Sequence, residues 1–71
     1  MRREFNVLIE EDEDGILVAS VPELPGCHTQ AKTLDDLMVR IREAVELCLE
    51  EGQGQSFIPK FVGFQRLSVD L

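Results

Sequence analysis

Cys27 and His28, the latter the chain's only histidine, are neighbours in the run Val21-Pro22-Glu23-Leu24-Pro25-Gly26-Cys27-His28. A thiol with an imidazole is a nucleophile with its base, or half of a zinc site. Consecutive residues of an extended chain point to opposite faces, however, so these two side chains do not meet. A zinc site would need carboxylates or a second subunit to complete it, and the expected role of Cys27 is that of a free thiol in a core. Ser20, Ser56 and Ser68 lack the strand-to-helix glycine turn that exposes a nucleophilic serine. Glu10-x-Asp12-x-Asp14-Gly15 has the alternating oxygens and the glycine of the first half of an EF-hand calcium loop. The bidentate glutamate that closes such a loop would stand at position 21, which is Val21. A solvated hairpin tip is favoured there. The remaining carboxylates fall on the outer side of a helical stretch, where solvated charge belongs, so no catalytic residue, metal or cofactor is expected.

The chain has 71 residues, 44% of them hydrophobic and 30% charged. That is the composition of one small globular domain, residues 1–71, and a core this thin is commonly reinforced by a disulfide, a metal or a partner subunit. Cys27 and Cys48 could form a bridge, but with no signal peptide after Met1-Arg2-Arg3-Glu4 and no apolar run of membrane-spanning length, the expected compartment is the cytoplasm, where thiols stay reduced. Two buried free cysteines and a homodimer or higher homo-oligomer are therefore the favoured reading. The formal net charge is −7, and the basic residues Arg2, Arg3, Lys32, Arg40, Arg42, Lys60 and Arg66 form no stripe. Direct nucleic-acid binding, which needs such a stripe against the phosphates, is not expected. A basic partner suits the charge better.

These residues must be placed by secondary structure. Phe5, Val7 and Ile9 alternate with Glu4, Asn6, Leu8 and Glu10, predicting a first strand with one face on a core. Glu11-Asp12-Glu13-Asp14-Gly15 is a charged turn whose glycine supplies a positive φ, and Ile16 to Val21 is a second strand antiparallel to the first. Pro22 cannot donate to a ladder and ends that strand, while Leu24-Pro25-Gly26 suits a type II turn leading to a weaker third strand over residues 27 to 31. Thr33 caps a helix from Leu34 to Glu51, with Asp35 and Asp36 at the positive end of its dipole. Its apolar stripe is Leu34, Leu37, Met38, Ile41, Ala44, Val45 and Cys48, and Gly52 is the expected stop. Gly52-Gln53-Gly54-Gln55-Ser56 reads as a flexible connection, and Pro59 as a bar to a central strand. Phe61 to Leu71 is expected as a fourth strand with a phase slip near Gln65, either a β-bulge or a strand apolar on both faces.

The order βββαβ predicts an α+β fold: one helix packed on one face of a small four-stranded mixed sheet, order 3-2-1-4 after a right-handed crossover. The uncovered face would carry Leu8 with Val62 or Phe64, a candidate oligomer face.

The run Glu11 to Gly15, the strand Ile16 to Val21, the element Pro22-Glu23-Leu24-Pro25-Gly26-Cys27, then Thr29-Gln30, Thr33-Leu34-Asp35-Asp36 and the helix resemble the HicB-like antitoxins. The resemblance covers most of the chain. It implies a partial ribonuclease H-like fold, without nuclease activity, and a protein partner: a HicA-type toxin, small, basic and mRNA-cleaving, which the antitoxin neutralises by occlusion. An acidic antitoxin meeting a basic toxin makes electrostatic sense. The candidate partner contacts are Glu10, Glu11, Asp12, Glu23, Leu24, Glu46 and Glu50. Many members continue into a DNA-binding segment, whereas this sequence ends at Leu71, so no separate DNA-binding domain is expected. The rival reading is a stand-alone oligomeric binding or scaffolding module of the same fold with no toxin partner.

Overall fold

The computed structural model describes residues 2–51 and 60–71. Asp12 nucleates the first hairpin. Its N–H donates to the Ile16 carbonyl at 2.9 Å and its own carbonyl accepts from Gly15 N–H at 3.0 Å, while Gly15 takes φ +80. Only glycine adopts that conformation without strain, so the turn lies where the Asp14-Gly15 pair predicts it. The turn joins β1 (Leu8–Glu11) to β2 (Leu17–Ser20), which pair antiparallel with Ile9 opposite Ala19.

Two consecutive tight turns then carry the chain to β3 (His28–Ala31). Leu24 N–H donates to the Val21 carbonyl at 3.0 Å, and Cys27 N–H to the Leu24 carbonyl at 2.9 Å. Pro25 and Gly26 are the central residues of the second turn, and Gly26 has φ +87, the type II geometry expected of them. Val21 N–H closes the loop onto the Cys27 carbonyl at 3.1 Å. β3 pairs antiparallel with β2, giving a three-stranded sheet in the order β1-β2-β3.

Thr33 is the N-cap of the helix α1 (Leu34–Glu50), its hydroxyl accepting from Asp36 N–H at 3.2 Å. Asp35 and Asp36 occupy the first turn, where the helix dipole favours negative charge. The helix packs against β3 and β2 and, among the described residues, makes no contact with β1. Leu37 and Ile41 sit under it with Ala19, Val21, Leu24, Cys27 and Ala31. Phe5, Val7, Leu17, Ala44, Val45 and Cys48 pack around that centre. Leu34 and Met38, expected in the buried stripe, are exposed, Met38 beside Phe5 and Val7.

The α+β class and the order of the first three strands match the sequence-based expectation, with differences at both ends. β1 begins at Leu8 rather than near Phe5. Leu8 lies opposite Ser20, so by the same register Asn6 would face Pro22, which has no N–H to offer. At the other end, residues 60–71 form no helix or strand, where the fourth strand of a mixed sheet was expected; the sheet of the described residues is wholly antiparallel. Val62, Phe64, Leu67, Val69 and Leu71 are all exposed. An alternating apolar segment becomes a strand only where an edge accepts its backbone, and no described strand does so here. The expected Gly52 stop, the connection through Ser56 and Pro59 lie outside the described residues.

Candidate protein-binding surface

Strand direction sorts the acidic side chains. β1 runs toward the Asp12 turn and β3 ends beside that turn, because Leu17 pairs with both Glu11 and Ala31. The helix therefore starts near the hairpin tip and runs back to the proline loop, where Cys48 meets Cys27. Glu10, Glu11 and Asp12 come together at the tip end, and Glu46 and Glu50 at the opposite end, on the same side as Glu23. The seven candidate contacts thus form two groups, not one patch.

Their chemistry differs as well. Asp12 Oδ1 accepts from Asp14 N–H and Ile16 N–H, both at 2.9 Å, so this carboxylate is a turn brace before it is a contact. Leu24, taken from sequence as a surface contact beside Glu23, is 7% exposed and belongs to the core. Folding two tight turns back over the end of the sheet buries the residue between them. Glu23 Oε2 accepts from the Asn6 side-chain amide at 2.8 Å and from Asn6 N–H at 3.2 Å. The carboxylate thereby satisfies the Asn6 N–H as an acceptor beyond the end of the β1–β2 ladder, and ties residue 6 to the proline loop. Partial burial acts to raise the Glu23 pKa, but the Asn6 amide and the backbone N–H groups of Glu23 and Asn6 outweigh it and hold the carboxyl below its ordinary value.

Cys27 is buried, Cys48 is half-buried, and both are free thiols. Burial pushes the Cys27 thiol up to about 11, helped by its hydrogen bond to Cys48. A thiol so poised is protonated and unreactive at neutral pH. His28 points away from it into solvent, as alternation requires. Among the described residues no group of three or more His, Cys, Asp or Glu side chains could hold a metal ion, and no helix is long and apolar enough to cross a membrane.

Between residues 3–7 and the outer flank of α1 runs an open groove of about 840 Å³. Phe5, Val7, Met38, Val39 and Val45 give it an apolar floor, and Arg3, Arg42, Glu43 and Glu46 line its rim. The groove exists because the helix covers β2 and β3 only, which also leaves Ile9, on the inner face of β1, 45% exposed. Leu8, on the other face of the same strand, is exposed with Val62 and Phe64, the expected oligomer face. Sequence reasoning missed the groove. The available signal was Val39, an apolar residue outside the stripe that a single buried face needs, which is exposed here and lines the groove.

The groove thus combines an apolar floor with a rim of mixed charge, Arg3 and Arg42 with Glu43 and Glu46. The family described as "HicB_like antitoxin of bacterial toxin-antitoxin system" matches residues 5–64. The UPF0150 protein ssr1258 of Synechocystis sp. is 50% identical over 68 residues, which are 96% of this chain and 97% of that protein. This chain belongs to the HicB-like antitoxin family. A UPF0150 protein of Archaeoglobus fulgidus is 65% identical over 46 residues, 65% of this chain and 67% of its own, and one of Thermotoga maritima is 32% identical over 71 residues, 99% of this chain and 95% of its own. For a HicB-like antitoxin the matched region contains the whole hairpin, the proline loop, the helix and the first residues of the C-terminal segment.

Proposed function

We propose that this HicB-like chain neutralises a small basic ribonuclease toxin of the HicA type by occlusion. Family membership supports an antitoxin role. The observation that carries the mechanism is the placement of Glu10, Glu11, Glu46 and Glu50, all exposed, on a chain with formal net charge −7. A protein that grips RNA must present cationic surface to phosphates, and an acidic body occupies that surface while speeding encounter. α1 adds to this, because its last turn has no basic side chain and the negative end of its dipole reinforces Glu46 and Glu50. The contact set is Glu10, Glu11, Asp12, Glu23, Glu46 and Glu50, on a single domain that acts in the cytoplasm as a homodimer or larger homo-oligomer through Leu8, Val62 and Phe64. The fourth strand and partial ribonuclease H-like arrangement implied by the resemblance belong to that assembled form.

The test is co-expression with the small basic open reading frame encoded beside this one. Growth arrest by the neighbour alone, relieved by this chain and restored by Glu46→Lys with Glu50→Lys, is the expected result. A neighbour that is harmless alone, or absent, would leave the stand-alone binding module as the better reading. For the complex, affinity should fall as ionic strength rises, measured by calorimetry at two salt concentrations.

A further inference from the structure

The structure leaves two complementary surfaces unsatisfied: the apolar groove beside residues 3–7 and the apolar segment 60–71. We propose that residues 60–71 of one copy lie along the free edge of residues 5–11 of a second copy, with their apolar side chains in that copy's groove, and that the exchange is reciprocal. This rests on the homo-oligomer reading given above and revises its contact: Val62 and Phe64 enter the groove on the helix-side face, and Leu8, on the opposite face of β1, takes no part.

Four observations carry it. Among the described residues β1 pairs with β2 alone, so its outer edge offers unmatched N–H and C=O groups to another strand. The groove lies where such a strand would bury one face, against Phe5, Val7, Met38 and Val45. Segment 60–71 holds two alternating apolar runs, Val62 with Phe64 and Leu67 with Val69 and Leu71, that slip phase near Gln65, and it stands clear of its own body: Val62 is 92%, Phe64 81% and Leu67 84% exposed. The radius of gyration is 14.0 Å, against about 11 Å expected for a closed domain of this length, and the long axis reaches 43 Å.

Charge and area fit the same occupant. The segment carries Lys60 and Arg66 against Asp70, a basic balance in an otherwise acidic chain, and would run beside Glu10, Glu11 and the groove carboxylates Glu43 and Glu46. Full burial of a Val, Leu or Phe removes roughly 60–120 Å² of apolar surface. With the β-bulge near Gln65 bringing Val62, Phe64, Leu67, Val69 and Leu71 to one face, five such side chains per arm, two arms and the matching groove surface reach roughly 1,200–2,400 Å², the range of a stable interface.

Sedimentation of the full chain without a toxin should show a dimer at micromolar concentration. A mixture of isotope-labelled and unlabelled chains should show intermolecular NOEs between residues 62–71 of one copy and Phe5, Val7 or Val45 of the other. Phe64→Asp with Leu67→Asp should give a monomer that keeps its helical circular dichroism, since neither residue packs on the core. A dimer that survives this double change, or arm–groove NOEs confined to one chain, would overturn the exchange while leaving the assembly reading intact. A monomer at all concentrations would overturn both.

Discussion

Glu23 and Cys27, on the same proline loop, respond to pH in opposite directions. The Glu23 pKa is lowered, so its bond to Asn6 contributes stability that is present above the ordinary glutamate value and is lost as pH falls through the lowered one. Glu23→Gln should therefore flatten the acid limb of a stability–pH curve, measured by urea unfolding between pH 3 and 6, and cost about 1 kcal/mol at neutral pH. Cys27 is raised from 9.0 to about 11, so its contribution is whole below about pH 9 and is lost as pH rises through about 11. In the folded protein the Cys27 thiol should react with a neutral disulfide reagent at pH 8 far more slowly than after unfolding in urea. Cys27→Ala should remove the alkaline part of the stability loss.

Elements were legible in the sequence where their cause is local. Thr33 as N-cap, the type II turn at Pro25 and Gly26 and the positive φ of Gly15 each follow from the chemistry of one or two residues, and each is observed. Thr33→Ala should cost about 1 kcal/mol, seen as a fall in Tm of roughly 4–8 °C for a domain this size. The start of β1 was not legible, because it depends on Pro22 across the sheet. The same holds for Leu24: nothing in its neighbours says that two turns will stack and shut it away from solvent. The candidate contacts were legible as acidic residues but not as two groups, since that division follows from the direction in which α1 recrosses the sheet.

For the whole molecule, the decisive fact is how little lies under the helix. Leu37 is wholly buried and is the largest side chain in that state. Leu37→Ala should cost about 2–5 kcal/mol, a large share of the roughly 4–10 kcal/mol expected of a chain this long, and urea titration should show a population already partly unfolded in buffer. The off-centre seat of α1 over β2 and β3, which no periodicity reveals, is what leaves the groove. Under the arm exchange proposed above, a second copy supplies the missing side of the core.

The division of acidic side chains between hairpin tip and helix end has a further consequence. The 17 residues of α1 span about 25 Å. That exceeds the screening distance of about 8 Å at physiological ionic strength, yet falls inside the 30 Å or so of a dilute buffer. In the cell each pole is electrically insulated from the other, and a cation arriving at one leaves its counterpart's affinity unchanged. In near-saltless water the poles sense one another, and anticooperative ion binding should emerge.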